Sequence, residues 1–191
     1  MLHPNIELRK SRISGRGLFA SSFIPKGTVL WIHVPSLEIT YRYDQFDKFS
    51  KKYQNYLIKY AYWWKGKICL GKDNSKYWNH SCEPNTAPVP SNPDKWDFAI
   101  KDIQKDEELT YDYALFMDHT SFPCQCNSLT CRKKVSRLNG NTIHVRKLKI
   151  RAKEAEEFLK IVNQPLVNDI PYSDFLNHTS KNTINLIPRQ F

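Results

Sequence analysis

Residues 77–85, "YWNHSCEPN", decide how this chain is read. Cys82 stands beside an Asn-His pair in a polar turn, far from the thiols at 124, 126 and 131. A free cysteine is ordinarily a small buried apolar side chain. A nucleophilic cysteine takes its histidine from across a cleft, which does not suit His80, two residues away in the same turn. The downstream cluster offers another role. Cys124, Cys126 and Cys131 lie within eight residues in a polar loop, and a structural zinc takes four ligands. Three local thiols are one short, so a remote donor must complete the set. Cys82, Cys69, His119 and His144 are the candidates.

The rest of the chain frames that choice. Its 191 residues are 40% hydrophobic and 25% charged, which suits one globular domain with a small appendage. No apolar run approaches the ~20 residues of a membrane span, and the start, "MLHPNIELRK", lacks the apolar stretch of a secretory signal. An intracellular, soluble protein is expected, with no membrane partner. In a reducing compartment, clustered cysteines favour metal over disulfides. The net charge is +10, and residues 132–153 carry nine Lys/Arg and no Asp/Glu. Such a block suits a nucleic acid, an acidic protein face or a solvated helix.

Short apolar runs punctuated by "GRG" (15–17), "IPKGT" (24–28) and "VPS" (34–36) give the first 40 residues the cadence of short strands. Phe46, Phe49, Tyr53, Leu57 and Tyr60 step by three and four, which predicts an amphipathic helix over 44–60. "AYWWKGKICLG" reads as two strands around a Lys-Gly turn, "DFAIKDI" as another, and "QKDEELTYDY" as a turn entering a last strand. Leu148, Ala152, Ala155, Leu159 and Val162 mark a second helix ending at Gln164-Pro165, followed by a polar tail. The class is α+β and β-rich.

Two further motifs carry chemistry only in company. Gly15-Arg16-Gly17 permits close backbone approach to a ligand, although alone it reads as a tight turn. In "EELTYDY", Tyr111 and Tyr113 project from one face of a strand. They read either as packed rings or as phenols lining a narrow channel.

In this order, "SRISGRGLFA", "YWNHSCEPN", "DEELTYDY" and "CQCNSLTCRKK" resemble the SET-domain protein lysine methyltransferases with a cysteine-rich post-SET extension. The resemblance covers about residues 5–137 and is similar in scale to small stand-alone members. It implies a SET domain over 1–117 with an insert at about 44–72, a post-SET loop over 118–137, and a C-terminal helix and tail over 138–191. The implied fold is a set of small curved sheets with a threaded C-terminal segment. S-adenosylmethionine would be held by Gly15, Arg16, Gly17, Asn79 and His80, with Lys76 where the family often has arginine. One structural Zn2+ would join Cys82, Cys124, Cys126 and Cys131. Tyr113 would be the catalytic tyrosine, and Tyr111 would influence how many methyl groups are added to a lysine of a histone or another basic protein. Two rival readings remain: a SET-like module that grips lysine without methylating it, and a basic zinc protein that binds nucleic acid.

Overall fold

The structure is a computed structural model and describes residues 1–116, 121–137 and 142–167. The expected short strands form. β1 (Ile6–Lys10) and β2 (Arg16–Ala20) make a hairpin through the glycine turn, where Gly15 has φ +51°. β3 (Val29–Ile32), β4 (Glu38–Arg42), α1 (Lys51–Tyr60), β5 (Tyr62–Trp64) and β6 (Lys67–Gly71) follow. Next come β7 (Asn79–His80), β8 (Thr86–Pro88), β9 (Trp96–Ala99) and β10 (Glu108–Tyr111). The described chain closes with β11 (Phe122–Pro123), β12 (Lys134–Val135) and α2 (Ile143–Glu156).

These strands make small separate sheets rather than one large one, with orders β1-β2-β10-β7, β3-β9-β8, β4-β6-β5 and β11-β12. The β5–β6 turn uses Lys65 and Gly66, both at positive φ, as a two-residue hairpin requires. In the first sheet β10 runs antiparallel to β2 but parallel to β7, pairing Thr110 with Asn79 and Tyr111 with His80. A parallel pair needs a long connection. Residues 81–107 supply it and so bring the "NH" turn beside "LTYDY".

One core seals this arrangement. Leu18, Val29, Leu30, Phe98, Ile103 and Leu109 are buried together with Val145, Leu148, Ala152 and Ala155 of α2. Gln164 locks the end of that helix down. Its amide donates to the carbonyls of Gly27 and Leu159, and its oxygen accepts from Val29 N–H. A smaller cluster around Leu57, Ile68 and Leu70 holds α1 on the β4-β6-β5 sheet with Tyr41, Phe46, Phe49 and Tyr53.

Two helix expectations need correction. The helix expected over 44–60 is two pieces, a 3-10 segment Tyr43–Lys48 and then α1, with Phe49 and Ser50 extended between them. Ser50 caps α1 by accepting from Tyr53 N–H, and a serine competes for backbone this way at the cost of helix continuity. The aromatic periodicity ran across that cap. The second helix starts at Ile143, capped by Thr142, and tightens after Glu156 into a 3-10 turn through Lys160. The polar tail from 168 onward lies outside the described residues. Among the described residues, no helix is long and apolar enough to cross a membrane.

Candidate active site

A cavity of about 790 Å3 opens where the β1–β2 turn, the β7 turn and the end of β10 meet. Gly15, Arg16, Lys76, Asn79, His80, Tyr111 and Tyr113 all line it. Gly17 lies behind that wall, where a Cβ would collide with Glu108 Oε1 and the Asn79 amide. The missing side chain lets the glycine turn sit flush on the first sheet. Asn79 fixes the turn from beneath, donating to the carbonyls of Ser14 (3.2 Å) and Arg16 (3.0 Å) and to Glu108 Oε1 (2.7 Å). Arg16 stacks over the Tyr77 ring at 4.3 Å and donates to its hydroxyl. Lys76 lies over the same ring at 5.5 Å and reaches the carbonyls of Gly71 and Lys72.

The Tyr113 hydroxyl donates to the carbonyl of Trp78. Burial, reinforced by the negative charge of Glu108, pushes its pKa above the ordinary phenol value. At neutral pH it is a neutral phenol whose proton is engaged and whose oxygen lone pairs remain acceptors. Tyr111 is 5% exposed and packs edge-on to Trp78 and obliquely on Phe116.

His80 links the cavity to the thiols. Burial is the chief influence on its pKa and lowers it to about 4, so the ring is neutral. Its Nδ1 accepts from Tyr113 N–H at 3.1 Å, which places the ring proton on Nε2, 3.4 Å from Cys82 Sγ. That tautomer is assigned from the hydrogen bonds. His80, Cys82, Cys124 and Cys126 bring donor atoms within 4.8 Å of one another. The Cys82 and Cys124 sulfurs are 3.7 Å apart, and the Cys124 thiol also meets that of Cys131. Burial alone would raise the Cys126 pKa. The backbone N–H of Cys82 and the Ser128 hydroxyl outweigh it and lower the value to about 6. Burial raises the Cys82 and Cys124 thiols, so within the cluster it is Cys126 that is poised to lose its proton first. The cluster of His80 with the thiols of Cys82, Cys124 and Cys126 could hold a metal ion, and Cys131 adjoins it through Cys124. Of the other early candidates, Cys69 is buried in the β4-β6-β5 sheet with its thiol pushed up to about 12, chiefly by burial. His144 sits on α2, and His119 lies outside the described residues.

Sequence reasoning missed the bond that joins loop to strand. Arg132 grips Asp112 with both Nη atoms, at 2.7 and 2.6 Å. Both side chains are buried, at 9% and 3% exposure. In sequence Arg132 belongs to the basic block and to the cysteine motif, and Asp112 is one of the acidic residues of "EELTYDY". Their positions, directly after Cys131 and directly before Tyr113, were the available signal. One of the nine basic residues is therefore internal, and Arg151 reaches the carbonyl of Pro84.

The description "SET domain" matches residues 15–114, more than half of the chain. This chain belongs to the SET-domain family. Its SET region is similar to human histone-lysine N-methyltransferase 2D, 30% identical over 139 residues, which covers 68% of this chain and 2% of that protein. It is equally similar to the Drosophila melanogaster histone-lysine N-methyltransferase trr, at 30% over 139 residues, 68% of this chain and 6% of that protein. The chain thus spans only a few per cent of the length of these relatives. Among solved structures, KRYPTONITE in complex with mCHG DNA and SAH aligns with a TM-score of 0.51 and 22% identity, over 70% of this chain and 29% of that one. That likeness supports the SET fold of small sheets.

Proposed function

We propose that this chain transfers a methyl group from S-adenosylmethionine to the side-chain amine of a protein lysine, stopping at mono- or dimethyl-lysine. The observation that carries the reading is the convergence of the glycine turn, the Asn79-His80 turn, Tyr111 and Tyr113 on one cavity. Its volume suits a cofactor plus a lysine side chain, within the ~300–1,000 Å3 of ordinary ligand pockets. The family membership and the names of the relatives point the same way. The cofactor, when bound, supplies an electrophilic methyl on a sulfonium.

The residues of the chain do the rest by positioning. Gly15 lets backbone approach the cofactor closely, Gly17 makes room behind it for Glu108 and Asn79, Asn79 holds that turn, and the cationic Arg16 and Lys76 suit the cofactor's carboxylate. Alignment of amine, carbon and sulfur is the main demand of a direct displacement. The lysine must be neutral to attack, yet its free pKa of about 10.4 leaves on the order of one part in a thousand neutral near pH 7. The aromatic walls disfavour the charged form and raise that fraction. Tyr113, its proton committed to Trp78, accepts from the amine N–H and from the polarised methyl. Its raised pKa argues against a phenolate base, so protons leave through water. The Tyr111 hydroxyl holds a water or the amine in the space further methyl groups require.

One structural zinc on Cys82, Cys124, Cys126 and Cys131 would tie the loop to the cofactor turn. The substrate is a lysine-bearing protein, a histone or another basic protein. The exposed Arg146, Lys147 and Lys153 of α2 suit a nucleic acid or acidic surface that accompanies it. Calorimetric titration with S-adenosylmethionine, followed by turnover with a panel of basic proteins, tests the reading. Wild type should bind the cofactor below millimolar, and Tyr113→Phe should keep binding while losing at least a hundredfold in turnover. Absence of cofactor binding by the metal-loaded protein overturns the proposal.

A further inference from the structure

The charges on the cavity wall are not mixed at random. Arg16, Lys59 and Lys76 gather on one aromatic pair. Arg16 and Lys76 lie over Tyr77, Lys59 lies over Tyr60, and the two rings are 5.5 Å apart. Among the described residues lining the cavity there is one carboxylate, Asp97. It sits in the middle of β9, paired in register with Trp31 of β3, in a different sheet from the glycine turn. It is 8% exposed, between Trp96 and Phe98, which are almost wholly buried. Aspartate is depleted in strands; Asp97 has a partner within the structure and still lies on the wall of a ligand-sized cavity.

We propose that Asp97 makes this cavity select a cationic alkylammonium, so that the substrate lysine enters charged and is held between the Asp97 carboxylate and the rings of Trp31, Tyr62, Trp78, Tyr111 and Phe116. This deepens the methyltransferase reading and rests on it for the identity of the ligand. The carboxylate is the group that attracts an alkylammonium here, and the ring faces add a cation–π attraction that offsets part of the desolvation cost they impose. The cationic wall around Tyr60 and Tyr77 would repel the same group, so the cavity is polarised, with an anion-accepting side and a cation-accepting side. The cofactor's carboxylate is drawn to the cationic side and the lysine's ammonium to Asp97 before any chemistry.

The arrangement has a kinetic consequence. A carboxylate beside the amine favours its protonated form, so Asp97 strengthens capture and lowers the neutral fraction that can attack. The further ionisable groups are His33, just beyond β3, its partner Glu38 of β4, which also accepts from the Tyr62 hydroxyl, and Lys95, just before β9. Tyr62 and Tyr111 lie on the cavity wall, and β8 brings none. Removing the charge should therefore raise KM and leave kcat near neutral pH unchanged or higher, whereas a merely structural lesion lowers kcat.

Butylammonium, a lysine side-chain mimic, and neutral 1-butanol of the same length are the probes, read by tryptophan fluorescence on the metal-loaded full chain. Wild type should bind butylammonium on the order of tenfold more tightly than butanol, and Asp97→Asn should lose that preference. Cofactor binding by the variant should stay within about twofold, which shows that the cavity is intact. Asp97→Glu, which keeps the charge, should keep the cation preference. A wild type that does not distinguish the two probes overturns the proposal without any variant, and so does an intact Asp97→Asn that still prefers the cation. If wild type selects butylammonium but transfers no methyl group to any protein, the cation site stands and the methyltransferase reading fails.

Discussion

Arg132→Met is the sharpest probe of how the cysteine loop is joined to the end of β10. The guanidinium makes two charge-assisted bonds to Asp112, at 2.7 and 2.6 Å, with both side chains at or below 9% exposure. Methionine keeps most of the volume and removes the charge, leaving a buried carboxylate without its counter-ion. Breaking a buried pair on one side costs ~3–5 kcal/mol. Asp112 keeps its bond from Ala114 N–H at 3.1 Å, so the lower end, about 3 kcal/mol, is expected. For a chain of this size that lowers Tm by about 6–12 °C. Adding Asp112→Asn, which removes the charge but keeps an oxygen for Ala114 N–H, should recover part of the loss. The cycle of single and double variants then isolates the pair. Thermal unfolding by circular dichroism reads the total, and amide exchange across 124–133 reads the loop. Arg132→Met melting within about 1 °C of wild type, with unchanged exchange in the loop, would refute the view that this bridge anchors the loop.

Three further outcomes are expected. Cys82→Ser should lower zinc retention in a chelator competition and weaken cofactor binding together, because the turn that carries the thiol also carries Asn79 and His80; full activity in zinc-free protein would contradict this. Tyr111→Phe should shift the product towards trimethyl-lysine by mass spectrometry without abolishing turnover, and dominant trimethylation by wild type would sink the idea. His3 is buried, and its pKa is lowered by that burial to about 4. The unfolded chain binds a proton near pH 6.5 that the folded chain refuses until about pH 4, so stability falls as pH drops through that window. The loss is on the order of 2–3 kcal/mol from this residue, and unfolding midpoints in denaturant for His3→Gln should show a shallower acid limb.

Much of the site was legible in the sequence because its residues carry chemistry that packing does not require. Cys82 made sense only with distant partners, and the structure brings its thiol to those of Cys124 and Cys126. The Lys65-Gly66 turn, the short strands and the apolar stripe of α2 followed from local backbone preference and periodicity. What stayed hidden depends on which segments meet. The parallel pairing of β7 with β10 has no local signal. The contacts of Asn79 with Ser14, Arg16 and Glu108 span 29 to 65 residues, and the Arg132–Asp112 pair looks in sequence like two ordinary charges. The break at Ser50 was lost because aromatic spacing outweighed a cap signal. Asp97 passed as the polar half of an alternating strand, although every residue of β9 is buried.

The central claim is lysine methylation through Tyr113. Wild-type and Tyr113→Phe protein, both zinc-loaded, incubated with isotope-labelled S-adenosylmethionine and a panel of basic proteins, test it directly by mass spectrometry of the products. The account predicts label on lysine Nζ, as mono- or dimethyl-lysine, with wild type and at least a hundredfold less with the variant. Equal labelling by the two proteins, or cofactor binding with no label on any lysine, would contradict it.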